Sequence, residues 1–438
     1  MPLEIYERRL SVSWCSFIEK ICGLICMRTP RVGASPHPWR FALMAAVPTR
    51  LSRSQNIIPR AITRGPRHHF FGYYDKSPWD ATGRWLLGLE SGFMDRPPAQ
   101  NDHVTVGLID TTKENQWIPL AETSAWNWQQ GCMLQWLNGG RSDEIIFNIR
   151  RDDGLGSRIL NVKTGRSRVL ERPVYAVNVE GTHAVSLSFA RLHHQRPGYG
   201  YAGVVDPWQQ EVAPQDDGLY SLDLATGASH LILSIGAAEQ LRHRPDFAHK
   251  THRFNHVQFS ANPQRFACLH RGKSPAQEVG ETRLLTLNLD GSDLHCLCDY
   301  GLVSHYDWRG DEAILAWSRR EGVGDRYFLF PDDGGPVQTI GDGVLTTDGH
   351  CSFSPDRRWV LTDTYPDATH HRTLLLYRWD TGERIDIGRF HAPVMEWQIR
   401  CDLHPRWSRD GRQVCIDSIH EGTRQMYVID VAEIVASG

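Results

Sequence analysis

Four histidines, His256, His305, His350 and His404, recur at intervals of 49, 45 and 54 residues, and each stands three residues before an aromatic. The segments read His256-Val-Gln-Phe, His305-Tyr-Asp-Trp, His350-Cys-Ser-Phe and His404-Pro-Arg-Trp. Clustered imidazoles bind divalent metals well, zinc or manganese among them. Cys401, in Cys401-Asp-Leu-His404, adds a possible thiolate ligand. The competing reading is that each histidine caps its own repeat through a backbone hydrogen bond. Only an architecture that superposes distant repeats around one axis would make these four a site.

Short β segments recurring every 40 to 55 residues are the mark of a β-propeller. The histidine-headed unit has three weaker copies upstream, starting at Tyr73, Gln130 and Tyr175. A second marker is an apolar run ending in a polar turn, at Asp110, Asn161, Asp223, Asp290, Asp332, Asp380 and Asp430. Two markers that each occur seven times predict an all-β, seven-bladed propeller with four-stranded antiparallel blades. We assign it to residues 51–438. The run Asn56–Ile62 is expected to add a strand that completes the last blade. Residues 1–50 are read as a leader: a targeting piece, a disordered arm or a mis-assigned start.

In such a propeller, first-strand starts and second-strand ends share one face. That face collects the four histidines with Tyr73, Gln130, Tyr175, Arg150, Arg191, Arg271, Arg320 and Asp363, and rim loops add His103, Tyr199 and Tyr201. A surface rich in arginine suits an anionic ligand, because the guanidinium presents a fixed fork of donors. Arg150, Arg271 and Arg320 are the candidate substrate-binding cations, and Tyr199 a platform for a sugar ring.

Composition narrows the remaining classes. Residues 1–66 hold ten Lys/Arg against three Asp/Glu, so the net charge of −3 conceals a basic leader and an acidic remainder. No basic stripe interleaved with aromatics runs through the repeats, which argues against nucleic acid as partner. No apolar run is long enough to span a membrane. The ten cysteines lack disulfide-framework spacing and read as reduced, buried thiols. The chain is expected to act as a monomer or small homo-oligomer. No Gly-x-Ser-x-Gly elbow points to an attached serine hydrolase.

The Tyr-Asp-Lys-Ser-Pro-Trp opening, the His-x-x-Phe-Ser-Pro-Asp unit and the closing Cys401-Asp-Leu-His-Pro-Arg-Trp-Ser-Arg-Asp-Gly411 resemble the oligogalacturonate lyases and the seven-bladed ulvan lyases. The resemblance spans residues 67–432, and its repeat is shared with TolB-type propellers, which are non-catalytic. It implies a polysaccharide lyase that cleaves uronic-acid-containing saccharides by β-elimination. It also implies roles: Tyr175 as base or acid and Arg191, sixteen residues on, as carboxylate clamp, with His69 and then His103 as partner acid or base. Cys401 stands where an oligogalacturonate lyase would carry a metal-binding histidine. The alternative is a non-catalytic propeller that binds a protein partner or an anionic glycan.

Overall fold

The computed structural model describes residues 52–275 and 280–436; the leader reading of residues 1–50 lies outside them. Seven sheets follow one another along the chain. Blade 1 comprises His68–Phe70, Trp85–Ser91, Val104–Asp110 and Gln116–Thr123; blade 2, Gln135–Trp136, Glu144–Arg151, Gly154–Asn161 and Ser167–Leu170; blade 3, Ala176–Val177, His183–Ser186, Gly218–Asp223 and Ser229–Ser234. Blade 4 holds Thr251–Phe259, Arg265–Lys273, Glu281–Asn288 and His295–Cys298, and blade 5 holds Val303–Arg309, Ala313–Arg320, Gly324–Pro331 and Gln338–Ile340. Blade 6 has Ser352–Phe353, Trp359–Asp363, His371–Arg378 and Arg384–His391, with Ser52–Ser54 added in parallel at its outer edge.

Blade 7 takes three strands from the end of the chain, Arg406–Trp407, Gln413–Ser418 and Gln425–Asp430, and its fourth, Arg60–Ala61, from the beginning. The strand expected within Asn56–Ile62 therefore closes the ring. The seven polar turn markers all fall at, or within two residues of, the end of a third strand. Two of them show why: Asn161 and Asp223 each accept backbone N–H groups two and three residues on, an Asx turn that starts the last hairpin of the blade.

Packing joins each blade to the next. Apolar faces of blades 4 and 5 meet through Leu269, Leu284, Trp308 and Phe328, and those of blades 6 and 7 through Trp359, Leu376, Trp407 and Ile416. This alternation of buried strand faces is the sheet-on-sheet packing that a period-two sequence pattern prepares.

The first upstream unit differs from expectation at its start. Blade 1 begins at His68–Phe70, and the chain then leaves the sheet and pairs again only at Trp79 with Leu86. Gly72, Tyr73 and Tyr74 thus form an excursion from the blade instead of a strand start. Gly72 has φ +130°, and a Cβ there would sit 2.9 Å from the Gln130 carbonyl, so a larger residue does not fit.

Candidate functional site

The excursion delivers Tyr73 and Tyr74 into the ring of histidines. The Tyr73 ring centroid lies 4.8 Å from that of His256, 5.0 Å from His404, 6.0 Å from His350 and 6.5 Å from His305. Blades 4 to 7, adjacent around the ring, supply the four histidines, and neighbouring imidazoles approach closely: His305 to His350 at 4.1 Å and His350 to His404 at 4.5 Å. His256 and His404 hold left-handed backbone, φ +60° and +41°. For His256 this coincides with a bulge in the first strand of blade 4. A residue other than glycine pays for that conformation, so the surrounding fold must enforce it. The Tyr74 hydroxyl donates to the Tyr306 carbonyl at 2.9 Å and accepts from its N–H, which pins the excursion to blade 5.

Arg406 and Asp417 of blade 7 hold the excursion from the other side. Their side chains meet at 2.8 and 3.1 Å. Arg406 donates to the carbonyls of Gly72 and Tyr73, while Asp417 accepts the N–H groups of Phe71 and Gly72. A charged, buried pair satisfied in this way sets the register between the last blade and the first.

Three side chains of the ring converge with metal-ligating geometry. His350, Asp402 and His404 are buried and each offers a ligand atom within 4.8 Å of the others. His350 Nδ1 is bonded to Asp363 at 2.8 Å, and His305 Nδ1 to Asp348 at 2.9 Å, leaving Nε2 of each available. Carboxylates behind imidazoles orient them and raise their basicity as ligands. Nε2 of His404 and of His256 is buried without a partner, which a cation would satisfy. Burial works against a charged His350, but Asp363 outweighs it and raises its pKa. Burial, reinforced by His350, holds His404 well below the ordinary value, in the neutral form a metal needs. Burial alone would raise Asp402, yet Arg400, His350 and Arg372 hold its carboxyl well below the usual range. A divalent cation bound here would displace the proton that Asp363 favours on His350 and share Asp402 with Arg372 and Arg400; the donor set is one of nitrogen and oxygen preference.

A helix and strap from blade 3 roof this ring. After the second strand of blade 3 the chain forms the helix Phe189–Gln195, capped by Ser188, and then the strap Arg196-Pro-Gly-Tyr-Gly-Tyr. Tyr199 of the strap stacks on Trp397 at 5.6 Å, lies edge-on to Tyr73 at 6.5 Å, and accepts a hydrogen bond from Arg400 at 3.1 Å. The guanidinium of Arg196 covers both Tyr199 and Trp397, at 4.1 and 4.7 Å. Two tyrosines that share a space are thus tuned apart. Burial raises Tyr73 well above the ordinary phenol value. For Tyr199 burial acts in the same direction, but Arg400 and Arg196 outweigh it and lower the pKa.

The residues singled out from sequence divide sharply. Tyr199 and Arg271 face this space; Arg271 is held by Asn255 at 3.0 Å and lines a cavity of about 230 Å³ with Arg196, Arg253, Lys273 and Trp397. Tyr175 is fully buried, and its hydroxyl accepts from Gln130 Nε2 and from the His256 N–H at 2.8 and 2.9 Å. Arg191 commits all five donors inside the fold, to Asp206 and to the carbonyls of Trp208, Glu211, Val212 and His252. None is left for a substrate carboxylate. Arg150 is likewise spent on the carbonyls of Ser124 and Ala202.

His69 lies away from the ring, buried between Glu90 at 3.2 Å and Gln425 at 3.1 Å, with Trp117 edge-on to it. His103 is exposed just before the third strand of blade 1, and Arg320 packs along Phe328 in blade 5. Cys401 is turned into an apolar cluster with Ala392 and Ile419, and burial raises its thiol pKa. The next residue, Asp402, stands in the ligand position instead. All seven cysteines among the described residues are free and buried.

The fold and the site together define a seven-bladed β-propeller with an axial histidine–carboxylate cluster beneath an arginine- and tyrosine-rich roof. Comparison by sequence with known protein families and with curated proteins finds no match. Comparison of structures finds an oligogalacturonate lyase from Vibrio parahaemolyticus, with a TM-score of 0.62 at 13% identity over 86% of this chain and 94% of that one. An oligogalacturonate lyase in complex with manganese has a TM-score of 0.61 at 14% identity, over 88% of this chain and 100% of that one. TolB from Acinetobacter baumannii overlays more loosely, with a TM-score of 0.38 at 12% identity over 70% of this chain and 64% of that one. At these identities the likeness is one of fold.

Proposed function

We propose that the protein is a metal-dependent carbon–oxygen lyase that cleaves uronic-acid-containing oligosaccharides by β-elimination. One observation carries the reading: His350, Asp402 and His404 converge beside Tyr73, which borders Tyr199 where Arg196 and Arg400 meet its ring and hydroxyl. The fold shared with a manganese-bound oligogalacturonate lyase supports it. Manganese is therefore the first cation to test and zinc the second.

In β-elimination the proton on C5 of the uronate is removed, the C4–O bond breaks, a C4=C5 double bond forms, and the departing oxygen takes up a proton. The C5 proton is weakly acidic unless the adjacent carboxylate is neutralised. A divalent cation on His350, Asp402 and His404, when bound, supplies that positive charge. Tyr199, whose phenol is made more acidic by Arg400 and Arg196, is the base that receives the C5 proton. Tyr73, which keeps its proton, is the donor to the departing oxygen. Pairs of titratable groups pushed apart by their surroundings are the usual division of labour between acid and base. Trp397 and Tyr199 provide the stacking surface for the sugar. Tyr175 acts indirectly, by holding the His256 backbone.

Incubating manganese-loaded protein with oligogalacturonides and with ulvan tests the proposal through the ultraviolet absorbance of the unsaturated product. Folded, metal-loaded protein that yields no such product from any uronan would overturn it. The second reading, a non-catalytic propeller that captures an anionic glycan, predicts binding to the same panel without product.

A further inference from the structure

The cavity beside Tyr199 contains a charge imbalance that the proposed reaction does not use. Four cations line it, Arg196, Arg253, Arg271 and Lys273, and among the described residues no aspartate or glutamate does. Arg253 is the extreme case. Its side chain comes from the first strand of blade 4, directly opposite Arg271 in the sheet. It is 3% exposed, and both Nε and Nη1 are buried without a hydrogen-bond partner among the described residues. Arg191, buried to the same degree, has every donor satisfied. Burying a guanidinium without a counter-charge is costly, and a fold retains such an arrangement where a ligand completes it.

We propose that Arg253, with Arg271, Arg196 and Lys273, forms a subsite for the acidic group of a second sugar unit, next to the unit that reacts over the histidine cluster. The ligand chemistry is a carboxylate or sulfate oxyanion, for which guanidinium groups supply paired, charge-assisted donors. Continuity of the surface places it there: Arg196 lines the cavity and also covers Tyr199 and Trp397, and Tyr199 borders Tyr73 in the ring. The substrate is then an oligomer with acidic groups on neighbouring units, and a monomer leaves this subsite empty. The inference relies on the proposed lyase site only for the position of the reacting unit.

The test is equilibrium binding, read without turnover. Calorimetric titration of the full chain with galacturonate, digalacturonate and a sulfated ulvan disaccharide is compared between wild type and Arg253→Gln. The substitution is expected to weaken at least one of the disaccharides by about thirtyfold or more, as for a desolvated charge losing its partner, and to leave galacturonate binding unchanged. Whichever disaccharide responds identifies the oxyanion. Thermal unfolding of unliganded Arg253→Gln should match or exceed wild type, because an uncompensated charge has been removed. Equal disaccharide affinities in the two proteins, a loss confined to galacturonate, or a marked drop in unliganded stability would each overturn the assignment. Arg253-dependent binding without any unsaturated product would sink the lyase reading and leave this subsite standing; product formed with a KM indifferent to Arg253→Gln would do the reverse.

Discussion

His350 presents Nδ1 to the Asp363 carboxylate at 2.8 and 3.0 Å, and the His350 backbone N–H donates to the same carboxylate. Asp363 ends the second strand of blade 6 and His350 precedes the first, so one hairpin brings them together. The carboxylate fixes the tautomer that leaves Nε2 for a cation. Asp363→Asn is therefore expected to weaken manganese binding by about 10- to 100-fold. Titration followed by electron paramagnetic resonance measures this, with circular dichroism to verify the fold; unchanged affinity would return the histidines to a purely structural role.

Tyr199 and Tyr175 give a contrast between chemistry and architecture. Tyr199→Phe removes the hydroxyl bonded to Arg400 and should lower kcat by about 100-fold or more while leaving thermal stability near wild type. Tyr175→Phe removes the acceptor of two buried donors, Gln130 Nε2 and the His256 N–H. It should cost about 1–3 kcal/mol in denaturant unfolding without changing the pH profile of turnover. A reversal of the two phenotypes would exchange their roles.

Arg406 and Asp417 close the propeller where its two ends meet. Removing one partner leaves the other charge buried, so Arg406→Met or Asp417→Asn alone should cost about 3–5 kcal/mol. The double variant should recover part of that loss, and a double-mutant cycle in urea measures the coupling. Purely additive losses would mean that each residue acts only through its own bonds to Phe71, Gly72 and Tyr73.

Asp217 sets a pH dependence of stability. Burial pushes its carboxyl up to about 6, against the opposing influence of the Gly218 N–H and Arg191. One carboxylate oxygen accepts from Gly218, and the other is buried without a partner. A carboxyl raised in the fold takes up a proton on folding, so its favourable contribution is complete below about pH 4, is lost as pH climbs to about 6, and changes little above that. Asp217→Asn cannot ionise. Its stability advantage over wild type should grow across that interval and level off at about 2–3 kcal/mol, as thermal melts at pH 4, 6 and 8 would reveal; a constant difference would place Asp217 in its charged form throughout.

The seven-blade architecture was legible because it is written in local repeats: an aromatic three residues after each of the four histidines and a polar turn residue at or just after the end of each third strand. Closure by an N-terminal strand was legible for the same reason, as an apolar segment left over by the count. The site was legible only as a face. The resemblance makes Tyr175 and Arg191 a candidate catalytic pair by their spacing, but spacing does not tell whether a side chain looks outward or is consumed by the loop beside it. Arg191 is buried under the segment Asp206–Val212, whose carbonyls it gathers. Asp402 lay hidden next to the more conspicuous Cys401, although its two-residue separation from His404 was a usable signal. Arg253 had none, because nothing in a strand sequence announces that an arginine lacks a partner.

What the chain alone determined was the period, and with it the fold and the axis toward which four histidines would point. What only the tertiary structure decided was which groups at that axis remain free to act. The reason is physical: repetition is carried by short-range strand and turn preferences, whereas the availability of a donor depends on every hydrogen bond that surrounding, sequence-distant residues have already claimed. Arg253 has Nε and Nη1 without a partner among the described residues and Tyr199 accepts only from Arg400, whereas Tyr175 and Arg191 have given their hydrogen-bonding groups to the blades.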